Sequence, residues 1–147
     1  MIIKKATIED LEIIANLFDL YRQFYNQNSD IDSAKEFLSE RIKNNESEIF
    51  FALDEKNKKG MGFVQLFPAF SSVSMKRLWI LNDLYVHQDY RKHGIGEALI
   101  QRSKELSMET ASKGLSLETH NSNKIAQKLY DKTGFEKDNE YYKYYWK

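Results

Sequence analysis

Short apolar runs, some alternating with polar residues, predict seven β-strands along the chain. The first five are expected at Ile2–Ala6, Ile49–Leu53, Gly62–Phe67, Lys76–Val86 and Leu115–Thr119. Two more are expected near the end, one starting at Phe135 and one over Tyr141–Trp146, where aromatic residues favour strand structure. The nearly continuous apolar run in Lys76–Val86 is typical of a central strand covered on both faces, and Leu115–Thr119 is also apolar enough to be central.

Apolar residues three and four positions apart predict four helices among these strands. Thr7 is the expected cap of the first helix, and Asp32 or Ser33 that of the second. The third helix is expected to run from Ile95 to Ser112. The fourth helix is expected to have Asn121 or Asn123 as its cap and to stop at Gly134. This order of elements predicts a single α/β domain over residues 1–147 that is built on one mixed sheet.

Composition excludes several classes of function. The 147 residues include 22 Lys plus Arg and 22 Asp plus Glu, and this balance argues against a nucleic-acid or membrane-surface binder. The absence of cysteine rules out disulfides, cysteine zinc sites and a cysteine nucleophile, and it suits a cytoplasmic protein. His87 and His93 lack metal-ligand spacing, so no metal is expected. Apolar runs such as Leu78–Leu81 are far shorter than the about 20 residues that cross a bilayer.

A basic turn with two glycines, Arg91–Gly96, follows the strand at Lys76–Val86 and opens the third helix. Gly94 and Gly96 would let backbone N–H groups come close to a ligand. The first turn of a helix also carries unpaired N–H groups and a partial positive charge, which favour an anion such as a pyrophosphate. The alternative is an ordinary strand-to-helix turn whose glycines allow close packing.

Other phosphate-binding motifs fit this turn poorly. A P-loop needs Lys-Ser/Thr after its glycine, whereas Gly96 is followed by Glu97. A dinucleotide-binding turn needs Gly or Ala where Leu99 stands, although Glu118 lies about 20 residues further on, as a ribose-binding acid would. We interpret that spacing as coincidence, because four predicted strands precede this turn, whereas a dinucleotide-binding turn follows the first strand. A nucleotide-binding module is therefore the weakest alternative.

Two motifs resemble the GNAT superfamily of N-acetyltransferases. Arg91-Lys-His-Gly-Ile-Gly96 is similar to the family's Arg/Gln-x-x-Gly-x-Gly/Ala signature, and Leu81–Val86 resembles its fourth strand. The segment Asn123–Phe135, with Ala126, Tyr130, Lys132 and Gly134, resembles the family's last helix and the strand after it. The stretch Gln65–Val86 further resembles a bacterial branch related to histone and polyamine acetyltransferases. The resemblance implies one mixed, mostly antiparallel sheet of about seven strands with about four helices.

The resemblance also implies a site for acetyl-CoA. The backbone of Leu84–Val86 would pair with the pantetheine amides like an added strand, and the amides of Lys92–Glu97 would hold the pyrophosphate. Asn123 would lie beside the pantetheine arm, and the small Ala126 would leave room for it. The implied cofactor-binding residues are Leu84, Tyr85, Val86, Arg91, Lys92, His93, Gly94, Ile95, Gly96, Glu97, Asn123, Ala126, Tyr130 and Lys132.

Tyr130 is the expected general acid, since the resemblance places its hydroxyl near the acetyl sulfur, where it can protonate the departing thiolate. The alternative is that Tyr130 only packs in the core. A base must take the proton of the attacking amine, and family members often carry Glu where this chain has Asn82. Asn82 can order a water but cannot act as the base, so Asp83, Glu118 and His120 are the candidates. A strand N–H such as that of Tyr85 or Val86 would polarise the acetyl carbonyl.

The acceptor is expected to be a cationic amine, because Tyr21 and Tyr25 combine with nearby carboxylates in the segments that shape acceptor sites in this fold. The predicted function is N-acetylation of a polyamine, small amine or lysine side chain by direct attack in a ternary complex. The alternative is a non-catalytic acyl-CoA-binding or sensing domain, which Asn82 favours and Tyr130 disfavours. Neither nucleic acid nor membrane is an expected partner, and a homodimer is considered because of the aromatic end.

Overall fold

The structure contains five strands and four α-helices. It is a computed structural model that describes residues 1–147. The strands are β1 (Ile2–Lys5), β2 (Glu48–Asp54), β3 (Lys59–Ser71), β4 (Lys76–Val86) and β5 (Leu115–Ser116). The helices are α1 (Leu11–Phe24), α2 (Ile31–Lys43), α3 (Ile95–Glu109) and α4 (Lys124–Lys132). None of these helices is both long and apolar enough to cross a bilayer.

The strands lie in the sheet in chain order, from β1 at one edge to β5 at the other. The first four are antiparallel neighbours, and β5 runs parallel to β4. A parallel pair needs a long crossover, and α3 supplies it. The predicted mixed, mostly antiparallel α/β sheet is therefore confirmed.

The helices cover the two faces of the sheet. One core cluster joins α1 and α2 to one face and contains Ile14, Leu38 and Phe51. The other joins α3 to the opposite face and contains Phe50, Leu81 and Leu99. Phe50 and Phe51 fall in different clusters because successive side chains of a strand point to opposite faces.

The prediction of seven strands is wrong, since the sheet has five. Residues 136–147 form no strand, and their aromatic side chains, from Tyr141 to Trp146, are 73–98% exposed. The fifth strand is also shorter than predicted and lies at the sheet edge instead of its centre. High β-propensity is insufficient here because no neighbouring strand pairs with the backbone of this segment.

Other boundaries also differ from the sequence expectation. Pro68 does not end β3 and lies opposite Trp79 in β4. Because β2 has already ended there, no strand on the other side of β3 loses a hydrogen bond through the missing N–H of Pro68. The cap of α2 is Asp30 instead of Asp32 or Ser33, since its carboxylate accepts a hydrogen bond from the Ser33 N–H at 3.1 Å. α3 ends at Glu109 instead of Ser112.

An irregularity in β4 positions the site described below. Gln65 of β3 lies opposite Asp83, whereas the next residue, Leu66, lies opposite Leu81. Asn82 is therefore an extra residue in β4, which makes a β-bulge and reverses the facing of the backbone beyond it. β4 and β5 pair only at Trp79–Leu115 and Ile80–Ser116, so β4 has no partner on that side beyond the bulge.

Candidate active site

A cleft of about 340 Å³ opens where β4 continues without β5. It is bordered by β4 residues near the bulge, by the chain that follows β5, by α4 and by the end of α1. Its lining residues are Tyr21, Tyr25, Leu81, Asn82, Leu84, Glu118, Thr119, His120 and Tyr130. The structure thus brings together seven predicted site residues from four separate parts of the chain, namely Tyr21, Tyr25, Asn82, Leu84, Glu118, His120 and Tyr130.

The backbone of β4 presents free polar groups beside this cleft. The N–H of His87 donates to the C=O of Met61 on β3 at 2.9 Å. Because backbone groups alternate sides along a strand, Tyr85 also faces β3, while Leu84 and Val86 face away from it. The amide of Tyr85 therefore takes part in the sheet, and Leu84 and Val86 are the predicted residues whose backbones point outward.

The turn Arg91–Gly96 has the local geometry expected of an anion site. Gly94 has φ +77°, a left-handed conformation that suits glycine, and a Cβ built there would meet nothing within 4 Å. The helix ladder starts when the Ala98 N–H donates to the Gly94 C=O at 3.1 Å. The N–H groups of Ile95, Gly96 and Glu97 precede that bond and have no intrahelical acceptor.

Gly96 has a different role from Gly94. A Cβ at position 96 would lie 3.1 Å from Cδ2 of Leu129, so this glycine lets α3 pack closely against α4. The contact at Gly96 agrees with the packing explanation of the turn, whereas phosphate binding near Gly94 stays a prediction. Close packing at Gly96 also fixes α4, and hence Tyr130, relative to the start of α3.

Several charged residues of the predicted cofactor set have protein partners. The Arg91 Nε donates to the Val86 C=O at 3.0 Å, and its guanidinium lies 5.7 Å from the ring centroid of Tyr85. Lys132 Nζ contacts the Glu97 carboxylate at 2.5 Å, which ties the end of α4 to the start of α3. His93 Nδ1 lies 3.2 Å from the Tyr90 C=O, and Lys92 is exposed.

The fourth helix places Tyr130 in the cleft. Its N-cap is Asn123, one of the two predicted caps, and the Asn123 side-chain oxygen accepts a hydrogen bond from the Ala126 N–H at 3.2 Å. Ala126 and Tyr130 lie one turn apart on the same face. The Tyr130 ring packs edge-on against Phe135, with centroids 5.7 Å apart, and burial followed by the nearby Tyr25 raises the pKa of Tyr130 to about 12. The phenol is therefore protonated at neutral pH.

A buried polar group lies directly behind the bulge. Asp83 is only 3% exposed, and its carboxylate accepts hydrogen bonds from Gln65 Nε2 at 2.5 Å and from Asn82 Nδ2 at 2.8 Å. Burial raises the pKa of Asp83 above its ordinary value, although these two hydrogen bonds favour the ionised form. A carboxyl group with a raised pKa is better matched to proton transfer near neutral pH.

Sequence reasoning missed Gln65. It is completely buried on β3, and its Oε1 has no hydrogen-bond partner. A glutamine within the apolar segment Gly62–Phe67 was the signal that could have revealed it, since buried amides normally bind another polar group. Thr119 and Leu81 also line the cleft without having been singled out.

Tyr21 connects the buried aspartate to the cleft. Its hydroxyl donates to the Asn82 C=O at 3.4 Å, and burial together with the charge of Asp83 raises the pKa of Tyr21. The Tyr25 ring packs against Tyr21 with centroids 5.1 Å apart. These two rings line the cleft together with Tyr130.

The remaining candidate bases lie at the rim. Glu118 is exposed and contacts Lys143. The His120 Nδ1 lies 2.7 Å from the Ser122 hydroxyl, and this histidine is also exposed. Glu118 and His120 therefore border the opening, whereas Asp83 is buried next to Asn82 and does not line the cleft.

Comparison with known proteins identifies the family. The model of the Acetyltransferase (GNAT) family matches residues 14–135. The chain is 44% identical over 138 residues to a Bacillus subtilis (strain 168) protein described as uncharacterized N-acetyltransferase YhfO, covering 94% of this chain and 91% of that one. It is 39% identical over 111 residues to a probable acetyltransferase of Haemophilus influenzae (strain ATCC 51907 / DSM 11121 / KW20 / Rd), covering 76% and 75%.

A solved structure has the same fold throughout. The crystal structure of a probable acetyltransferase superposes with a TM-score of 0.95 at 39% sequence identity, covering 100% of this chain and 97% of that one. The GNAT resemblance of the turn at residues 91–96 and of the last helix is thereby confirmed. The chain belongs to the GNAT family and is an acetyl-transferring enzyme.

Proposed function

We propose that this enzyme moves the acetyl group of acetyl-CoA to a primary amine by direct attack within a ternary complex. The observation that carries the proposal is the cleft beside the unpaired part of β4, because it joins a free strand edge to the Tyr130 phenol, and β4 leads from it toward the turn at residues 91–96. The named relatives are acetyltransferases, which disfavours the non-catalytic alternative, and family membership disfavours the nucleotide-binding one.

The donor would lie along β4. The outward-facing amides of Leu84 and Val86 and the carbonyl of Leu84 would bind the pantetheine arm as an added strand. Its pyrophosphate would meet the N–H groups at the start of α3, where Gly94 leaves the approach open. Since Arg91 already donates to Val86 C=O, we assign Arg91 to shaping the strand end and to supplying positive charge nearby.

Tyr130 would act as the general acid. Its phenol is protonated at the pH of the reaction, because burial raises its pKa to about 12. As the tetrahedral intermediate collapses, the C–S bond breaks and the sulfur takes a proton from the Tyr130 hydroxyl. The outward-facing N–H of Val86 or Leu84 is the matching donor for the carbonyl oxygen of that intermediate.

Asp83 would accept the proton of the attacking amine. It is the buried candidate with a raised pKa, and Tyr21 with Asn82 lies between it and the cleft. The proton would pass through the Tyr21 hydroxyl or a water held by Asn82, so that Asn82 need not be a base itself. Glu118, at the rim, would attract the cationic acceptor, and Tyr21 with Tyr25 would provide aromatic contact for it.

The function is tested by an amine panel. Purified enzyme with acetyl-CoA is given a polyamine, a lysine peptide, an aminoglycoside or a neutral hydroxylated compound, and free CoA thiol is measured. We expect at least one cationic amine to raise thiol release well above the amine-free rate, and acetylated amine to appear by mass spectrometry. Tight acetyl-CoA binding with no acceleration by any amine would instead support the sensing domain.

Gly94→Val tests the pyrophosphate position. A β-branched residue at φ +77° is strained, and its side chain would fill the open approach to the helix start. We expect acetyl-CoA affinity by calorimetry to fall at least about tenfold, corresponding to about 1.4 kcal/mol. Gly134→Val is the matched control, because Gly134 has φ +92° but lies at the end of α4. Wild-type affinity in Gly94→Val would place the phosphates elsewhere.

Tyr130→Phe tests the general acid. Loss of the hydroxyl should lower kcat by about 10²-fold, in the range measured for single proton donors, while the Kd for acetyl-CoA stays within about twofold. Tyr144→Phe, which removes an exposed hydroxyl, should leave both values unchanged. Equal turnover of Tyr130→Phe and wild type would remove Tyr130 from the acid role.

Asp83→Asn separates catalysis from folding. We expect kcat/KM at pH 7 to drop at least about tenfold, since the amide cannot take a proton. Because the pKa of Asp83 is higher in the folded than in the unfolded protein, protonation of Asp83 stabilises the fold. This contribution to the free energy of unfolding is complete below the unfolded pKa and is lost as the pH rises through the folded pKa. At pH 7 the variant should therefore unfold in urea at no lower concentration than wild type. Unchanged kcat/KM in a folded Asp83→Asn variant would refute Asp83 as the proton acceptor.

The separate variant Glu118→Gln should mainly raise the KM of the acceptor amine.

A further inference from the structure

Two carboxyl groups of the protein are buried, those of Asp19 and Asp83. Asp19 accepts three hydrogen bonds, from the Ser29 hydroxyl at 2.6 Å, the Asp30 N–H at 2.8 Å and Gln23 Nε2 at 3.0 Å. Burial alone would raise its pKa, but these donors outweigh burial and hold the pKa below its ordinary value. Asp19 therefore stays ionised at neutral pH and holds the junction between α1 and α2.

Asp83 has different neighbours and the opposite pKa shift. Burial raises its pKa, and the hydrogen bonds of Gln65, Asn82 and Tyr21 oppose this rise without reversing it. The titratable side chains around it are Tyr21 of α1 and Tyr85 of β4, then Tyr25 and Tyr130 next to Tyr21, and Glu118 and His120 at the cleft rim. Asp83 thus has no cationic partner that would keep it ionised.

Gln65 carries a polar atom that this arrangement does not use. Its residue pairs across the sheet are Ile49 of β2 and Asp83 of β4, and no part of its side chain reaches solvent. Its Nε2 donates to Asp83, whereas its Oε1 has no hydrogen-bond partner. A buried acceptor without a partner is costly, and native proteins retain few of them. The ionised form of Asp83 gives no reason for an acceptor at this position, because a carboxylate needs only donors.

The protonated form of Asp83 gives that reason. A carboxylic acid carries an O–H donor, and half a turn about the Cγ–Cδ bond of Gln65 would exchange Nε2 and Oε1 with almost no change in shape. The Gln65 Nε2 lies 2.5 Å from Asp83 Oδ2, a separation that also fits an O–H···O bond, for which roughly 2.5–3.0 Å is usual. Asn82 Nδ2 donates to the other oxygen, Oδ1, at 2.8 Å and can do so in both protonation states.

We propose that Gln65 is a positioning residue that pairs with Asp83 in both protonation states, donating from Nε2 to the carboxylate and, after its amide turns, accepting through Oε1 from the carboxylic acid. The inference rests on the proposed role of Asp83 as proton acceptor. The proton that leaves the attacking amine converts the Asp83 carboxylate into the acid, and the new O–H then bonds to Gln65 Oε1. The carboxyl group is thereby held in one position before and after the transfer.

Nuclear magnetic resonance of the wild-type protein tests the pairing without relying on activity. The Gln65 side-chain NH₂ signals and the Asp83 carboxyl carbon are followed as the pH is varied. We expect both to change with one midpoint, and the nuclear Overhauser contact between the Gln65 NH₂ and the Asp83 β-protons to weaken as Asp83 gains its proton. The Gln23 NH₂ is the matched control, because it donates to Asp19, whose pKa is lowered, and it should stay constant around that midpoint. Gln65 signals that stay constant, or a contact that persists, while Asp83 titrates would overturn the proposal.

Gln65→Met tests the consequence for proton transfer. Methionine is unbranched and of similar length, but it offers Asp83 no strong donor or acceptor. Because a hydrogen bond to the ionised form is the stronger of the two, its loss should raise the Asp83 pKa by about one unit, and the acidic limb of the kcat profile should move with it. Ser103→Ala is the matched control, since Ser103 is also buried and donates to the Leu99 C=O at 2.9 Å, but it lies in α3 on the other face of the sheet. Its acidic limb should stay in place, and circular dichroism checks that both variants are folded.

The two readouts separate this inference from the proposed function. If the Asp83 pKa rises in Gln65→Met while the acidic limb of kcat stays in place, Asp83 is not the proton acceptor, but its pairing with Gln65 stands. If the Asp83 pKa in folded Gln65→Met equals that of the wild type, the pairing is refuted, and the role of Asp83 is still decided by Asp83→Asn. If Gln65→Met does not fold, the wild-type titration decides.

Discussion

The loss of pairing on one side of β4 beyond Ile80 is the constraint on which the site depends. β5 is held to β4 by only two residue pairs, and the chain then diverges. Unsatisfied backbone groups are costly when buried, so a strand edge of this kind must face solvent, another strand or a ligand. The extra residue Asn82 reverses the facing of the strand beyond it and turns the backbone of Leu84 and Val86 toward this opening.

The same bulge also organises the proposed catalytic groups. It places Asn82 in the cleft and the adjacent Asp83 behind it, buried against Gln65. A buried carboxylate is tolerated because it is hydrogen-bonded, and its burial raises the pKa of the group at the same time. On the opposite wall, α4 holds Tyr130, and its position is fixed by the close contact at Gly96 and the Lys132–Glu97 pair. Sheet irregularity and helix packing together bring a protonated phenol to the cleft and a carboxyl with a raised pKa next to Asn82, which lines the cleft.

Much of this was predictable from the sequence, for identifiable reasons. The sequence predicted correctly the bounds of β4, the turn at residues 91–96 and a cap at Asn121 or Asn123, which is Asn123. These predictions rest on apolar runs, glycines and capping residues, which are local signals. The last two strands were wrong because strand formation needs a partner, which aromatic propensity cannot supply. Two features could not be predicted, namely the burial of Gln65 and the direction in which the backbone groups of Leu84, Tyr85 and Val86 point. Both depend on strand register and on the bulge, and no local pattern reveals a register shift.

The most direct test is a crystal structure of the enzyme with CoA. The account predicts pantetheine amides hydrogen-bonded to the outward backbone of Leu84 and Val86, phosphates against the N–H groups at the start of α3, and the sulfur within hydrogen-bond distance of the Tyr130 hydroxyl. A complex in which CoA lies outside the gap between β4 and the chain after β5, or in which the phenol points away from the sulfur, would contradict it.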